Sequence, residues 1–245
     1  MKIIALINQK GGTAKTTTAI NLGSALASLD KKILLIDLDP QANLTYSFGI
    51  QSTNGTTADL LQSKQAIQTL LVNKEKLSIL PSSSALADLE VALVNKLGRE
   101  NILKERLVDT KGYDYIFIDC PPSLSILAVN ALNASHEVLI PLQMEVLSLQ
   151  GLTQLQETIQ EVKQVLNRKL KIRGIIASMY DSRRKLSKEI MEELRKNVRE
   201  KVFKTVIREC VKIAEAPSFA KSVLAYAPSS NGAKDYMELA KEFLK

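Results

Sequence analysis

The chain opens on a short apolar run, Lys2-Ile-Ile-Ala-Leu-Ile-Asn8, then passes through a glycine turn into a stretch with apolar residues at Ala19, Leu22, Leu26 and Leu29. The first pattern is continuous and short, and the second has helical spacing, so a strand, a loop and a helix are predicted in that order. Further strand-like runs lie at Ile33–Ile36, Leu77–Leu80, Tyr115–Ile118, Val138–Ile140 and Ile172–Met179, with helical segments at about 124–134 and 146–166. Continuous rather than alternating strands, separated by helices, predict a parallel sheet buried on both sides. The expected class is α/β: a doubly wound, mostly parallel sheet with helices on both faces. Leu186, Ile190, Leu194 and Val198 recur every four residues and predict an amphipathic helix, and a final helix is expected over about 232–244. The stretch from Ser52 to Ser84, with polar clusters at Ser52–Gly55 and Pro81–Ser84, reads as surface elaboration around the strand at Leu77–Leu80. No linker-like break divides the pattern, so one domain over residues 1–245 is expected.

Composition narrows the class. The 245 residues are 45% apolar and 24% charged, as in ordinary globular proteins, which excludes disorder, collagen and coiled coil. No apolar run approaches the roughly 20 residues that span a bilayer, and Lys2 before a short strand is not a signal peptide. A cytoplasmic protein is expected. Cys120 and Cys210 suggest neither a disulfide framework nor a metal cluster. Cys120 reads as a small packing residue and His136 as structural.

Three groups fall where predicted strands end, which in an open parallel sheet is where ligands bind. The first is Lys10-Gly-Gly-Thr-Ala-Lys15-Thr-Thr-Thr18, between strand and helix. Glycines let backbone N–H groups turn toward phosphate oxygens, the helix start adds its dipole, a lysine neutralises β/γ charge and a hydroxyl holds Mg2+. The general phosphate loop G-x-x-x-x-G-K has glycine where this chain has Gln9 and Ala14. A left-handed backbone at Ala14 would cost about 1 kcal/mol, so weakened but not abolished nucleotide binding is expected. The second group is Asp37 and Asp39, whose spacing is expected to send both carboxylates into the ligand crevice. The third is Asp119, in Ile118-Asp-Cys-Pro-Pro-Ser123. A carboxylate near an in-line water supports phosphoryl transfer without covalent chemistry.

The first segment resembles the deviant Walker A motif, K-G-G-x-G-K-T-T, of the ParA/MinD family of ATPases. Leu35-Ile-Asp-Leu-Asp-Pro-Gln-Ala-Asn43 resembles that family's switch I, and Ile118–Ser123 its Walker B and switch II. Met179–Arg183, Lys204–Ile207, Glu215–Ser218 and Tyr226–Lys234 look like ParA/Soj segments in the same order, so the resemblance covers nearly the whole chain. It implies a P-loop NTPase fold and a weak ATPase using ATP and Mg2+. By this resemblance Lys10, Gly11, Gly12, Thr13, Ala14, Lys15, Thr16 and Thr17 hold nucleotide, Lys10 reaching the phosphates of the partner subunit in a sandwich dimer. Lys10 and Lys15 act in catalysis with Asp39, which positions the attacking water. Thr16, Asp37 and Asp119 serve the metal, and Met179, Ile207 and Arg208 flank the nucleotide, Arg208 standing where relatives carry proline.

Charge adds a second surface. The net +7 is uneven: Lys163–Lys212 holds 16 Lys+Arg against 6 Asp+Glu, and the other 195 residues hold 17 against 20. A basic segment on an otherwise acidic chain is the footprint of a polyanion partner. Arg183 and Lys212 fall where Soj-like proteins carry arginines that bind DNA without sequence preference; Arg184 and Lys204 join them as candidates. Aromatic residues are only 4% of the chain, so salt-sensitive contact with the phosphate backbone is expected rather than base stacking. The resemblance thus implies a DNA-segregation ATPase. An ATP-bound homodimer would hold nonspecific double-stranded DNA at the nucleoid until a ParB-like centromere-binding protein stimulates hydrolysis. The alternative is a MinD-like membrane-cycling positioning ATPase, which needs a basic amphipathic tail. Here Tyr236, Leu239, Ala240 and Phe243 read as core, nothing follows Lys245, and no membrane partner is expected. A nucleotide-gated scaffold with negligible turnover is a third reading.

Overall fold

The computed structural model describes residues 1–51, 53–63 and 65–245. Strands β1 (Lys2–Leu6), β2 (Ile33–Asp37), β3 (Val72–Lys74), β4 (Leu77–Leu80), β5 (Tyr115–Asp119), β6 (Glu137–Gln143) and β7 (Lys171–Ser178) form one sheet. Its order is β3-β4-β2-β5-β1-β6-β7, parallel throughout except for the antiparallel edge strand β3. The α-helices are, in chain order, α1 (Lys15–Ser28), α2 (Asn43–Ser47), α3 (Thr57–Gln62), α4 (Ala85–Leu93), α5 (Ile102–Leu107) and α6 (Ile126–Ala134). They continue with α7 (Val146–Val165), α8 (Lys185–Asn197), α9 (Val211–Glu215), α10 (Val223–Tyr226) and α11 (Asn231–Phe243).

Both sides of the sheet are covered, as continuous apolar strands require. Ile36, Ile116 and Ile118 face one core with residues of α3 to α8, whereas Leu35 and Phe117 face a second with α1 and α11. In that second core the Tyr236 hydroxyl lies 3.4 Å from the Thr18 hydroxyl. Phe243 packs 5.2 Å from the Tyr115 ring and 6.0 Å from Phe117, under the Arg173 guanidinium. The apolar face of α11 is therefore spent on the core. Among the described residues no helix is long and apolar enough to cross a membrane.

Two expectations are corrected. The segment read as surface elaboration supplies sheet and core: β4 pairs parallel with β2, and Ala58, Leu60, Leu61, Ile67 and Leu70 are buried. Its pieces are too short for periodicity to declare them; Ser52 lies outside the described residues. In α8, Leu186 is 47% exposed and Val198 lies past the helix end, and the buried side is Ser187, Ile190, Met191 and Leu194. A four-residue repeat drifts by about 40° per step on a 3.6-residue helix, so its outer members leave the face. His136 is structural as expected, its Nδ1 accepting the Ile3 N–H at 2.9 Å. Glycine is needed at Gly174, where a Cβ would stand 2.7 Å from Phe203 and 2.9 Å from the Lys201 carbonyl, because residues 201–203 run along β7.

Candidate nucleotide and metal site

Strand register brings the three candidate groups together. Leu6, just before the glycine loop, and Asp37 both pair with Asp119 across adjacent strands. The loop turns at two left-handed residues, Gly12 (φ 74°) and Ala14 (φ 69°). Neither glycine of the loop has an atom within 4 Å of an added Cβ, so at Gly12 it is the backbone angle that demands glycine. Thr13 Oγ1 and Lys15 Nζ both donate to the Lys10 carbonyl at 3.2 Å, and Ser178 Oγ donates to the Thr13 carbonyl at 3.1 Å. The result is a cleft of about 340 Å3 lined by Gly11 to Thr17, Asp39, Gln41, Asn43, Ser47, Pro122 and Met179. Ala14, Ala42 and Met179, around this cleft, are all non-glycine residues with positive φ. Such strain gathers where surrounding structure imposes a working geometry.

The electrostatics are those of a charged site held in a dry setting. Lys15 is 7% exposed; burial lowers its pKa and the Asp119 carboxylate raises it, leaving it below the usual lysine range. Asp119 is buried at the end of β5, and neither carboxylate oxygen has a hydrogen-bond partner among the described residues. Burial and the neighbouring Asp37 push its pKa well up, the nearby Thr16 hydroxyl pulling the other way. An orphaned buried carboxylate is costly unless something cationic satisfies it. Together with the Thr16 hydroxyl it fits Mg2+, which takes one or two carboxylates and completes its shell with water and substrate phosphate.

Asp37 departs from the expectation that both switch aspartates enter the crevice. Asp39 lines the cleft, with Oδ1 accepting the Gln41 N–H at 2.9 Å, because it stands in a turn beyond the strand. Asp37 is fully buried behind it and accepts from the Thr45 hydroxyl at 2.6 Å, the Thr45 N–H at 2.9 Å and the Asp39 N–H at 3.2 Å. Burial raises its carboxyl to about 6 against those hydrogen bonds. Thr45, which sequence reasoning missed, thereby anchors the whole turn; a hydroxyl eight residues after an aspartate carries no signal of its own.

The other candidates disperse. Lys10 is exposed and ion-paired with Glu145 at the start of α7, another residue unmarked in the sequence. Ile207 is in the core, and Arg208 pairs with Asp235 of α11 at 2.6 Å, so neither lines the cleft. Arg183 is held by Asp181 through Nε at 3.0 Å and Nη2 at 2.9 Å. Arg184 lies 3.5 Å from Asp181 and 3.6 Å from Glu209, and Lys212 lies 2.8 Å from Glu215. Lys204 is exposed and has no ion-pair partner among the described residues. Cys120 is buried, which pushes its thiol far up and leaves it a packing residue.

A family model described as an AAA domain matches residues 1–172. The sporulation initiation inhibitor protein Soj of Bacillus subtilis is 44% identical over 98% of this chain and 97% of its own. The chromosome partitioning protein ParA of Myxococcus xanthus is 44% identical over all of this chain and 88% of its own. Among solved structures, a Mycobacterium smegmatis protein named cobyrinic acid a,c-diamide synthase, crystallised with an ATP analogue and magnesium, superposes with a TM-score of 0.88. It is 34% identical, over all of this chain and 94% of its own, and carries a name for different chemistry on the same fold.

Proposed function

The chain belongs to the Soj/ParA family of chromosome-partitioning ATPases, and on that premise we propose that it is an ATP-driven switch, one domain over residues 1–245, that carries DNA cargo by binding nonspecific duplex DNA. The observation that carries the reading is the meeting of the glycine loop, Asp39 and the orphaned Asp119 at adjacent strand ends. Backbone N–H groups of Gly11 to Thr17 and the ammonium of Lys15 bind the ATP phosphates, at the positive end of α1. Thr16 and Asp119, with Asp37 behind them, would hold Mg2+, which would supply charge neutralisation on those phosphates. Asp39 orients the attacking water; with no covalent chemistry for the protein to perform, positioning sets the rate, and turnover is weak until a partner improves it. Lys10 leaves Glu145 and reaches the phosphates of a second subunit, so that ATP closes a dimer.

The dimer then presents two copies of the basic surface around Arg183, Arg184, Lys204 and Lys212 to the nucleoid, and a ParB-like protein triggers hydrolysis and release. Against a MinD-like membrane cycle stands the use of the α11 apolar face in the core, with Tyr236, Leu239, Ala240 and Phe243 all buried. Gel retardation of arbitrary duplex DNA at low salt tests the reading. ATP-loaded wild type is expected to retard it and Lys15→Ala to fail; identical behaviour of the two removes the ATP-controlled DNA step.

A further inference from the structure

We propose that the groove between α7 and α8 is a docking surface for a cationic, amphipathic helix of another protein. It is about 770 Å3, roughly twice the nucleotide cleft, and lies on the side of the sheet away from α1 and α11. Leu149, Leu152 and Val198 give it an apolar floor. Along α7 it runs from Leu149 to Glu161, a little over three turns or roughly 18 Å, which is the length of a short recognition helix.

The rim decides what kind of helix. Glu157, Glu161, Glu193 and Glu200 stand around the groove, with Arg199 the cation among them. Elsewhere in the same basic stretch Asp181 and Glu209 are spent on the arginines before α8 and Glu189 on Lys185, Glu192 being the one acid outside the groove without an ion pair among the described residues. None of the four rim glutamates has an ion-pair partner among the described residues. Among the described residues Glu200 accepts only the neutral Gln156 amide, at 2.7 Å, and Glu193 only the Asn197 amide. Carboxylates left unneutralised beside an excess of ten positive charges repel nucleic acid and anionic lipid and steer a positively charged partner inward, while the leucine floor receives its apolar side. This docking needs neither ATP nor DNA, so it goes beyond the partition reading and stands or falls apart from it.

The test is fluorescence anisotropy of a labelled fourteen-residue helical peptide of leucine and lysine, titrated at low salt with the full chain, nucleotide and DNA omitted. Wild type is expected to bind saturably. Glu157→Lys with Glu161→Lys should weaken binding at least tenfold, against less than twofold for the equal charge change Asp88→Lys with Glu105→Lys on α4 and α5. Thr153→Trp, which fills the groove from an exposed position without altering charge, should weaken it as well, with thermal melting confirming that each variant is folded. No binding to wild type, equal loss in both charge reversals, or undiminished binding to Thr153→Trp overturns the proposal. So does concentration-dependent self-association that the groove variants abolish, because it places a second copy of this chain there.

Discussion

Ala14 shows at one residue what the nucleotide loop demands. Its φ of 69° is a conformation in which a Cβ meets the following carbonyl, at a cost of about 1 kcal/mol that glycine avoids. The same residue stands at the N-cap of α1 with no side-chain cap, so its methyl group contributes nothing in return. Ala14→Gly is therefore expected to raise the melting temperature by about 2–4 °C, the size of effect that ~1 kcal/mol has in a chain of this length. If the strain is borne mainly in the bound state, the same change tightens ATP binding by up to about fivefold instead, since 1.4 kcal/mol is a factor of ten. Calorimetric melting and nucleotide titration together separate the two. An unchanged melting temperature with unchanged affinity would show that the loop bears no strain at Ala14.

At the scale of elements, the edge of the molecule where β1, β6, β7 and α11 meet is held by one carboxylate. Glu137 accepts from Lys2 of β1 at 2.6 Å and from Arg173 of β7 at 2.5 Å, and Arg173 in turn donates to the Phe243 carbonyl of α11. Burial pushes the Glu137 pKa up, but the Lys2 and Arg173 interactions outweigh it and hold it below the ordinary glutamate range. A depressed carboxylate stabilises the fold above its unfolded pKa, near 4.5, and that stability is lost as pH falls through the folded value. Glu137→Gln should thus cost about 1 kcal/mol at pH 7, and the gap from wild type should narrow as pH falls below the ordinary glutamate range. A pH-independent gap in melting temperature would assign the loss to packing. Elements of this kind were unevenly legible in the sequence. Strands such as Ile33–Ile36 declared themselves because burial on both sides makes them continuous apolar runs. Helices α3 and α5, six residues each, are shorter than two turns and leave no period to read. The glycine loop, Asp39 and Asp119 were visible as strand-end chemistry, whereas Thr45 and Glu145 act through contacts that only the fold creates.

For the molecule as a whole, the excess of ten positive charges between Lys163 and Lys212 counts charges rather than free charges. Folding sets Asp181 against Arg183 and Arg184, Glu209 against Arg184, and Glu215 against Lys212, so three of the four DNA candidates meet an internal carboxylate before any phosphate does. Pairs whose cation stands in solvent are worth about 1 kcal/mol or less and are screened by salt, so a duplex bound here would displace them, each displaced acid lessening the gain. Asp181 is the leverage point, its pKa held at about 2 chiefly by the Arg183 hydrogen bonds. Asp181→Asn keeps an oxygen to accept the Arg183 N–H while removing the competing charge, and is expected to tighten DNA binding by the ATP-loaded protein. Arg183→Ala should do the reverse, weakening all sequences alike and flattening the dependence of log affinity on log salt by about one unit. Filter binding across a salt series reads both. If neither variant moves the affinity or the slope, the duplex does not contact Arg183, and its pairing with Asp181 serves the fold alone.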